Sequence, residues 1–127
     1  MKLKMSEILK IKKEVEKCVK CENIEYCSKT GMDAGVLLNN LNSEVLVLAL
    51  NPGYFQPHEV GKNYEWVLKH SKMGMMFLDR LDFDYYYTNL VKCCTENNRE
   101  VSDVEVENCL PYLKRQIYQI CLYLLPL

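Results

Sequence analysis

The chain holds seven cysteines among 127 residues, and their spacing is the first sign of chemistry. Cys18 and Cys21 form C-x2-C, which lets two thiolates reach one metal centre. Cys93 and Cys94 are adjacent, and Cys109 follows Cys93 by sixteen residues, which is not the second C-x2-C of a zinc ribbon. One close pair with two remote thiols suits a [4Fe-4S] cluster at least as well as zinc. The plain alternative is buried apolar thiols. Cys94 rivals Cys93 as a ligand, and spacing alone does not separate them; Cys27 and Cys121 read as core or surface thiols. A second candidate is "LALNPGYF", where Asn51 and the backbone N–H groups from Pro52 to Tyr54 end an apolar run. Asn, Pro and Gly are also ordinary residues of a tight turn.

The elements that must position these groups can be read from periodicity. Ser6 is a plausible N-cap, and Ile8, Ile11, Val15 and Val19 recur at helical spacing, so a first helix leads into Cys18 and Cys21. "VLVLAL", residues 45–50, is a continuous apolar run, as expected of a strand buried on both faces of a parallel sheet. It stops at Pro52 and Gly53. From about Tyr64 to Leu81 a helix is expected, with Trp66, Val67, Met73, Phe77, Leu78 and Leu81 on its apolar side and Gly74 as its weak point. "YYYTNLV" is aromatic and β-branched, hence a second strand. Strand, helix, strand at this spacing makes a parallel βαβ unit. Ser102 and Glu105 fit a capping box opening a last helix, in which Val106, Leu110, Leu113 and Ile117 share a face and Pro111 should introduce a kink. The expected architecture is α/β, three layers α/β/α around a mostly parallel central sheet. Ligands of such sheets bind beyond the carboxyl ends of the strands, where "NPGYF" and "NLVKC" both fall.

Composition limits the class. The length fits one domain, residues 1–127, and a net charge of −1 gives no global basic footprint. Nucleic-acid contact would need a local patch, for which Lys10, Lys12, Lys13, Lys17 and Lys20 are candidates, with Lys114 and Arg115 beside them. A solvated helix face explains those lysines equally well. The N-terminus lacks the apolar core of a signal peptide, and no run is long enough to span a membrane. The expected compartment is the cytoplasm, where cysteines bind metal or react more often than they form disulfides.

Taken together, the order of motifs resembles the uracil-DNA glycosylase superfamily, and in particular its iron–sulfur branch, family 4. The matching features are the helix leading to Cys18 and Cys21, the strand ending in "ALNPG", a loose "GKNY", then "YTNLVKC", the Asn98–Arg99 pair and "NCLPYLKRQI". The resemblance covers essentially the whole chain. It implies a [4Fe-4S] cluster held by Cys18, Cys21, Cys93 and Cys109, its Lys-Cys register favouring Cys93 over Cys94. It also implies uracil-containing DNA as partner, a monomer, and hydrolysis of the N-glycosidic bond of a flipped uracil. Asn89 matches the uracil-reading Asn, whose amide can accept from N3–H and donate to O4, a pattern that cytosine reverses. Tyr64 falls where the family stacks an aromatic on the base, and Gly53 and Tyr54 are candidates for shaping the base pocket.

Two departures qualify this implication. Family 4 usually has Gly-Glu-x-Pro-Gly, whereas this chain reads Ala49-Leu50-Asn51-Pro52-Gly53. "LNPG" is instead similar to the mismatch-specific and single-strand-selective branches, in which the Asn positions the attacking water. Asn51 would take that role, and catalysis would rest on positioning and electrostatics because an amide is no general base. The family also continues with another strand and a His-Pro-Ser-like motif, which the sequence does not contain; neither His58 nor His70 sits in one. The expectation is a truncated, split or frameshifted glycosylase, its fold incomplete and its apolar end, "IYQICLYLLPL", at risk of exposure. The competing class is an inactive iron–sulfur or zinc module that binds nucleic acid or a partner.

Overall fold

A computed structural model describes residues 2–21, 36–53, 64–120 and 123–126. Three strands, β1 (Val45–Ala49), β2 (Tyr86–Asn89) and β3 (Tyr123–Pro126), form one sheet in the order β2-β1-β3. Both pairings are parallel: Leu46 lies opposite Tyr86 and Ala49 opposite Asn89, while Val45 lies opposite Tyr123. Val36 adds an antiparallel bridge to Thr88 on the outer edge of β2.

Alternation along the strands sends successive residues to opposite faces, and each face has its own core. On the rear face Leu46 and Tyr86 pack with Ile8, Ile11 and Val15 of α1 (Lys2–Glu16) and with Tyr112 and Ile120 of α4 (Asp103–Ile120). On the front face Val47, Ala49 and Tyr87 pack with Leu68 of α2 (Tyr64–His70), Leu78 and Cys94. Helices on both sides of a parallel sheet make the three-layer α/β/α arrangement that alternating strand and helix patterns lead one to expect.

Four details differ from the sequence expectation. The first helix begins at Lys2, so Ser6 lies inside it and is no cap, and Val19 lies past its end, 91% exposed. The stretch from Tyr64 to Leu81 is not one helix but α2, α3 (Lys72–Met76) and a 3-10 turn, Leu78–Arg80. The first break comes at Ser71, whose hydroxyl donates to the Leu68 carbonyl at 2.7 Å and accepts from the Gly74 N–H at 2.9 Å. Local side-chain bonds of this kind compete with the helical ladder; Phe77, expected inside, is 56% exposed as a result. Along α4 the buried stripe is Glu105, Cys109, Tyr112, Leu113, Gln116 and Ile120, one position away from most of the apolar reading, because the polar Glu105 and Gln116 point inward. The helix runs as one 18-residue element with Pro111 inside it. Finally, the apolar end of the sequence supplies β3, which uses the free side of β1.

The capping box is formed as expected. The Ser102 N–H donates to Glu105 Oε1 at 2.7 Å, and the Glu105 N–H donates to Ser102 Oγ at 3.2 Å. Arg99 reinforces it with a two-pronged contact to the same carboxylate, at 3.1 and 2.8 Å.

Candidate active site and metal centre

The two motifs that sequence reasoning set at the carboxyl ends of the strands meet there. Beyond the Ala49–Asn89 pair the parallel ladder continues: the Leu90 N–H donates to the Ala49 carbonyl and the Val91 N–H to the Leu50 carbonyl, each at 2.9 Å. These bonds bring the end of β2 alongside the start of the Asn51-Pro52-Gly53 turn. Asn51 is half-buried, Pro52 buried and Gly53 exposed. A side chain at Gly53 would meet nothing within 4 Å among the described residues. Tyr54 lies outside the described residues, as does His58. Tyr64 opens α2, but its side chain is outside the description.

Asn89 is completely buried. The Tyr87 hydroxyl, on the same face of β2, reaches its Oδ1 at 3.4 Å. His70 is exposed and stacks on Trp66, with ring centroids 4.1 Å apart, in keeping with the ordinary surface role expected of it.

The thiols converge at the rear of the sheet, where α1 ends and α4 passes. Cys18 and Cys93 pack against the rear core, and Cys109 is buried beside them on α4. Burial pushes the Cys93 thiol up to about 12, and the charges of Cys109, Cys18, Cys21 and Cys94 add to the effect. Cys109 is likewise raised, first by burial and then by Cys21 and Cys18, against the opposing N–H and charge of Lys92. Cys94 falls instead in the front core, with no exposure. The adjacent pair is therefore divided between the two faces.

As they stand, no three His, Cys, Asp or Glu side chains among the described residues form a ready cage for a metal ion. The chemistry of the donors nevertheless fits a soft metal centre. A cationic centre would offset the burial that opposes ionisation of Cys93 and Cys109, and thiolates select zinc, copper(I) or iron–sulfur groups. Two sulfurs already accept N–H bonds of the sort that support metal thiolates: Cys21 from Asn108 Nδ2 at 3.3 Å and Cys109 from the Lys92 N–H at 3.5 Å.

Sequence reasoning missed the buried polar group behind β2. Lys92 is 1% exposed, and its ammonium donates to Thr88 Oγ1 at 2.9 Å, to the Asn89 carbonyl and to Gln116 Oε1. Burial pulls this lysine down to about 7, while Cys109 acts in the opposite sense. Gln116 Nε2 donates in turn to the Tyr86 hydroxyl and to Thr88 Oγ1. One cue was present: a lysine between a strand and a metal-ligand candidate has little chance of reaching solvent.

The lysines proposed as a basic surface divide. Lys10, Lys13, Lys17 and Lys114 are exposed. Lys12 is buried along its length and paired with Glu16 at 2.7 Å, Arg115 pairs with Glu14 at 2.7 Å, and Lys20 lies over the Tyr112 ring, 4.7 Å from its centre. Among the described residues no helix is long and apolar enough to cross a membrane.

The fold is an open α/β domain in which the two Asn-bearing segments meet at the carboxyl ends of the strands and cysteines gather behind them. Three curated relatives share this sequence at about 30% identity, each named Type-4 uracil-DNA glycosylase. That of Saccharolobus solfataricus is 32% identical over 84% of this chain and 48% of its own length. That of Archaeoglobus fulgidus is 31% identical over 91% and 56%, and that of Sulfurisphaera tokodaii 29% identical over 89% and 50%. The chain thus spans about half the length of the curated relatives it matches, and the likeness supports the uracil-DNA glycosylase superfamily. No family model matches the sequence.

Proposed function

We propose that this chain is a uracil-DNA glycosylase of the type-4, iron–sulfur kind, hydrolysing the N-glycosidic bond of a uracil flipped out of DNA. The observation that carries the reading is the strand-end register, in which Asn89 pairs with Ala49 and the Asn51-Pro52-Gly53 turn follows directly. Breaking the glycosidic bond leaves positive charge on the sugar and negative charge on the departing base. Asn51 would orient the attacking water, Asn89 would read the base edge, and N–H groups of the turn at Gly53 and Tyr54 would face the base oxygens. Tyr64 would stack on the ring. Asn89 is buried as it stands, so engaging a base requires the crevice to open, a motion common in enzymes that enclose their substrates.

Cys18, Cys21, Cys93 and Cys109 would hold the [4Fe-4S] cluster, which when bound would tie the end of α1 to α4 and to the segment after β2. The residues of the crevice do the chemistry; the thiols brace it.

The test is excision of uracil from an oligonucleotide by anaerobically purified protein, read as alkali-labile abasic sites, with Asn89→Ala as control. Cleavage that vanishes in the variant supports the assignment. Folded, iron-bearing protein that binds the oligonucleotide and never cleaves it would overturn the reading in favour of a non-catalytic iron–sulfur module.

A further inference from the structure

Lys92 is a buried charge that the excision chemistry above does not use. An ammonium has three protons to donate, and three acceptors meet it: Thr88 Oγ1, the Asn89 carbonyl and Gln116 Oε1. Gln116, with no exposure itself, passes the chain of bonds to the Tyr86 hydroxyl, which donates to the Leu37 carbonyl at 2.8 Å. The network runs from α4 through β2 to the segment that precedes β1, and all of it lies behind the sheet.

Replacing a buried ionic group by an apolar side chain of similar volume is often neutral or stabilising. Stability alone therefore gives little reason for a lysine here. What the ammonium does grip is the backbone carbonyl of Asn89, while Tyr87 touches the Asn89 side chain from the front. Asn89 is thus held at two atoms from opposite faces of the sheet. The same Lys92 carries the N–H that points at Cys109 Sγ, so one residue touches both Asn89 and a cysteine of the rear group.

We propose that Lys92 is a positioning residue for base recognition: by fixing the Asn89 carbonyl against Thr88 and Gln116, it sets where the Asn89 amide meets a pyrimidine base. This rests on the reading of Asn89 as the base-contacting residue.

Three quantities measured on the full chain decide it: hydrogen exchange of the Leu90 and Val91 amides, iron content, and single-turnover excision on a uracil oligonucleotide. Lys92→Met is expected to weaken protection of those two amides about tenfold and to slow excision about a hundredfold, with iron content and oligonucleotide affinity unchanged. Thr88→Val, which removes one acceptor, is expected to shift both in the same direction by less. Wild-type exchange and rate in Lys92→Met would overturn the proposal, as would a loss of activity that tracks loss of iron, since Lys92 would then only brace the thiols. If the wild-type chain excises nothing, the functional reading fails on its own, and the exchange arm still decides whether Lys92 holds the Asn89 end of β2. If Lys92→Met does not fold, wild-type exchange and rate in Thr88→Val overturn the proposal.

Discussion

The rear of the sheet, under α1 and α4, buries an ammonium, an amide, two hydroxyls and the Cys109 thiol in one connected group. The front, under α2 and the 3-10 turn Leu78–Arg80, buries Val47, Leu68, Leu78, Tyr87 and Cys94 around little that is polar. Polar networks that are fully satisfied hold a single geometry, whereas apolar contacts tolerate sliding. The difference suggests a division of labour in which the rear fixes the ends of the strands and the front admits the substrate. Cys93 and Cys94, neighbours in sequence, fall on opposite sides of that division.

Exchanging thiols one at a time would break the comparison most severely. Cys109→Ser is expected to abolish iron binding and, with it, cooperative folding, because ligand loss removes a constraint that spans α1, β2 and α4. Cys94→Ala is expected to keep its iron and to cost about 1–2 kcal/mol in denaturant unfolding, as befits a small cavity in an apolar core. Iron and acid-labile sulfide assays on both variants and on Cys93→Ser check this. Iron kept in Cys93→Ser and lost in Cys94→Ala would exchange the roles of the two.

Activity should separate the strand end from the front core next. Asn89→Ala is expected to lower the single-turnover rate of uracil excision roughly a hundredfold, the usual effect of removing one well-placed polar contact to developing charge, far beyond the loss of about 1–2 kcal/mol of stability from emptying a buried site. On the front face, Gly74→Ala should do the reverse. A Cβ there would stand 2.0 Å from the Leu68 carbonyl oxygen, a backbone atom that cannot swing aside, so a loss of about 2–3 kcal/mol is expected with the excision rate of the folded fraction unchanged. Urea unfolding followed by tryptophan fluorescence reads it directly, since Trp66 lies on the adjoining helix.

How much of this was legible in sequence depended on whether local pattern and tertiary role agreed. β1 and β2 were visible because both are short apolar or aromatic runs and both are buried. β3 was hidden because "YLLP" follows a helix without a turn signal and ends in proline, which only an edge position tolerates. The stripe of α4 was misplaced because Glu105 and Gln116 point inward, Glu105 to the cap and Arg99 and Gln116 to Lys92, so hydrophobicity does not mark the buried face. Ser71 broke a helix whose apolar spacing ran on through it, a local hydrogen bond overriding the period. The thiols and asparagines were read from motifs, and the structure sets Asn51 beside the end of β2 and Cys18 and Cys93 against the rear core; Lys92 went unread, because its one cue was its place between a strand and a cysteine and a buried charge has no periodic signature.

The smallest expected effect lies at the start of α4, in the contact that holds the rear face to the loop after β2. The Arg99 guanidinium, followed by the Ser102 N–H and hydroxyl, holds the Glu105 carboxyl at about 2 against an ordinary value of 4.5, with burial opposing. A carboxyl depressed in the folded state adds stability that is fully present above its unfolded value and is lost as pH falls through the folded one. Glu105→Gln should therefore be less stable than wild type at pH 7, and the two should converge between pH 4.5 and pH 2. The cap and its charged hydrogen bonds suggest about 2 kcal/mol at neutral pH, below the full worth of the shift because Arg99 stands 39% exposed and its attraction is screened by water. Denaturant unfolding at stepped pH checks the sign as well as the size. A difference that stayed constant down to pH 2 would mean that Glu105 acts through the cap geometry alone, and that Arg99 adds nothing to the rear scaffold.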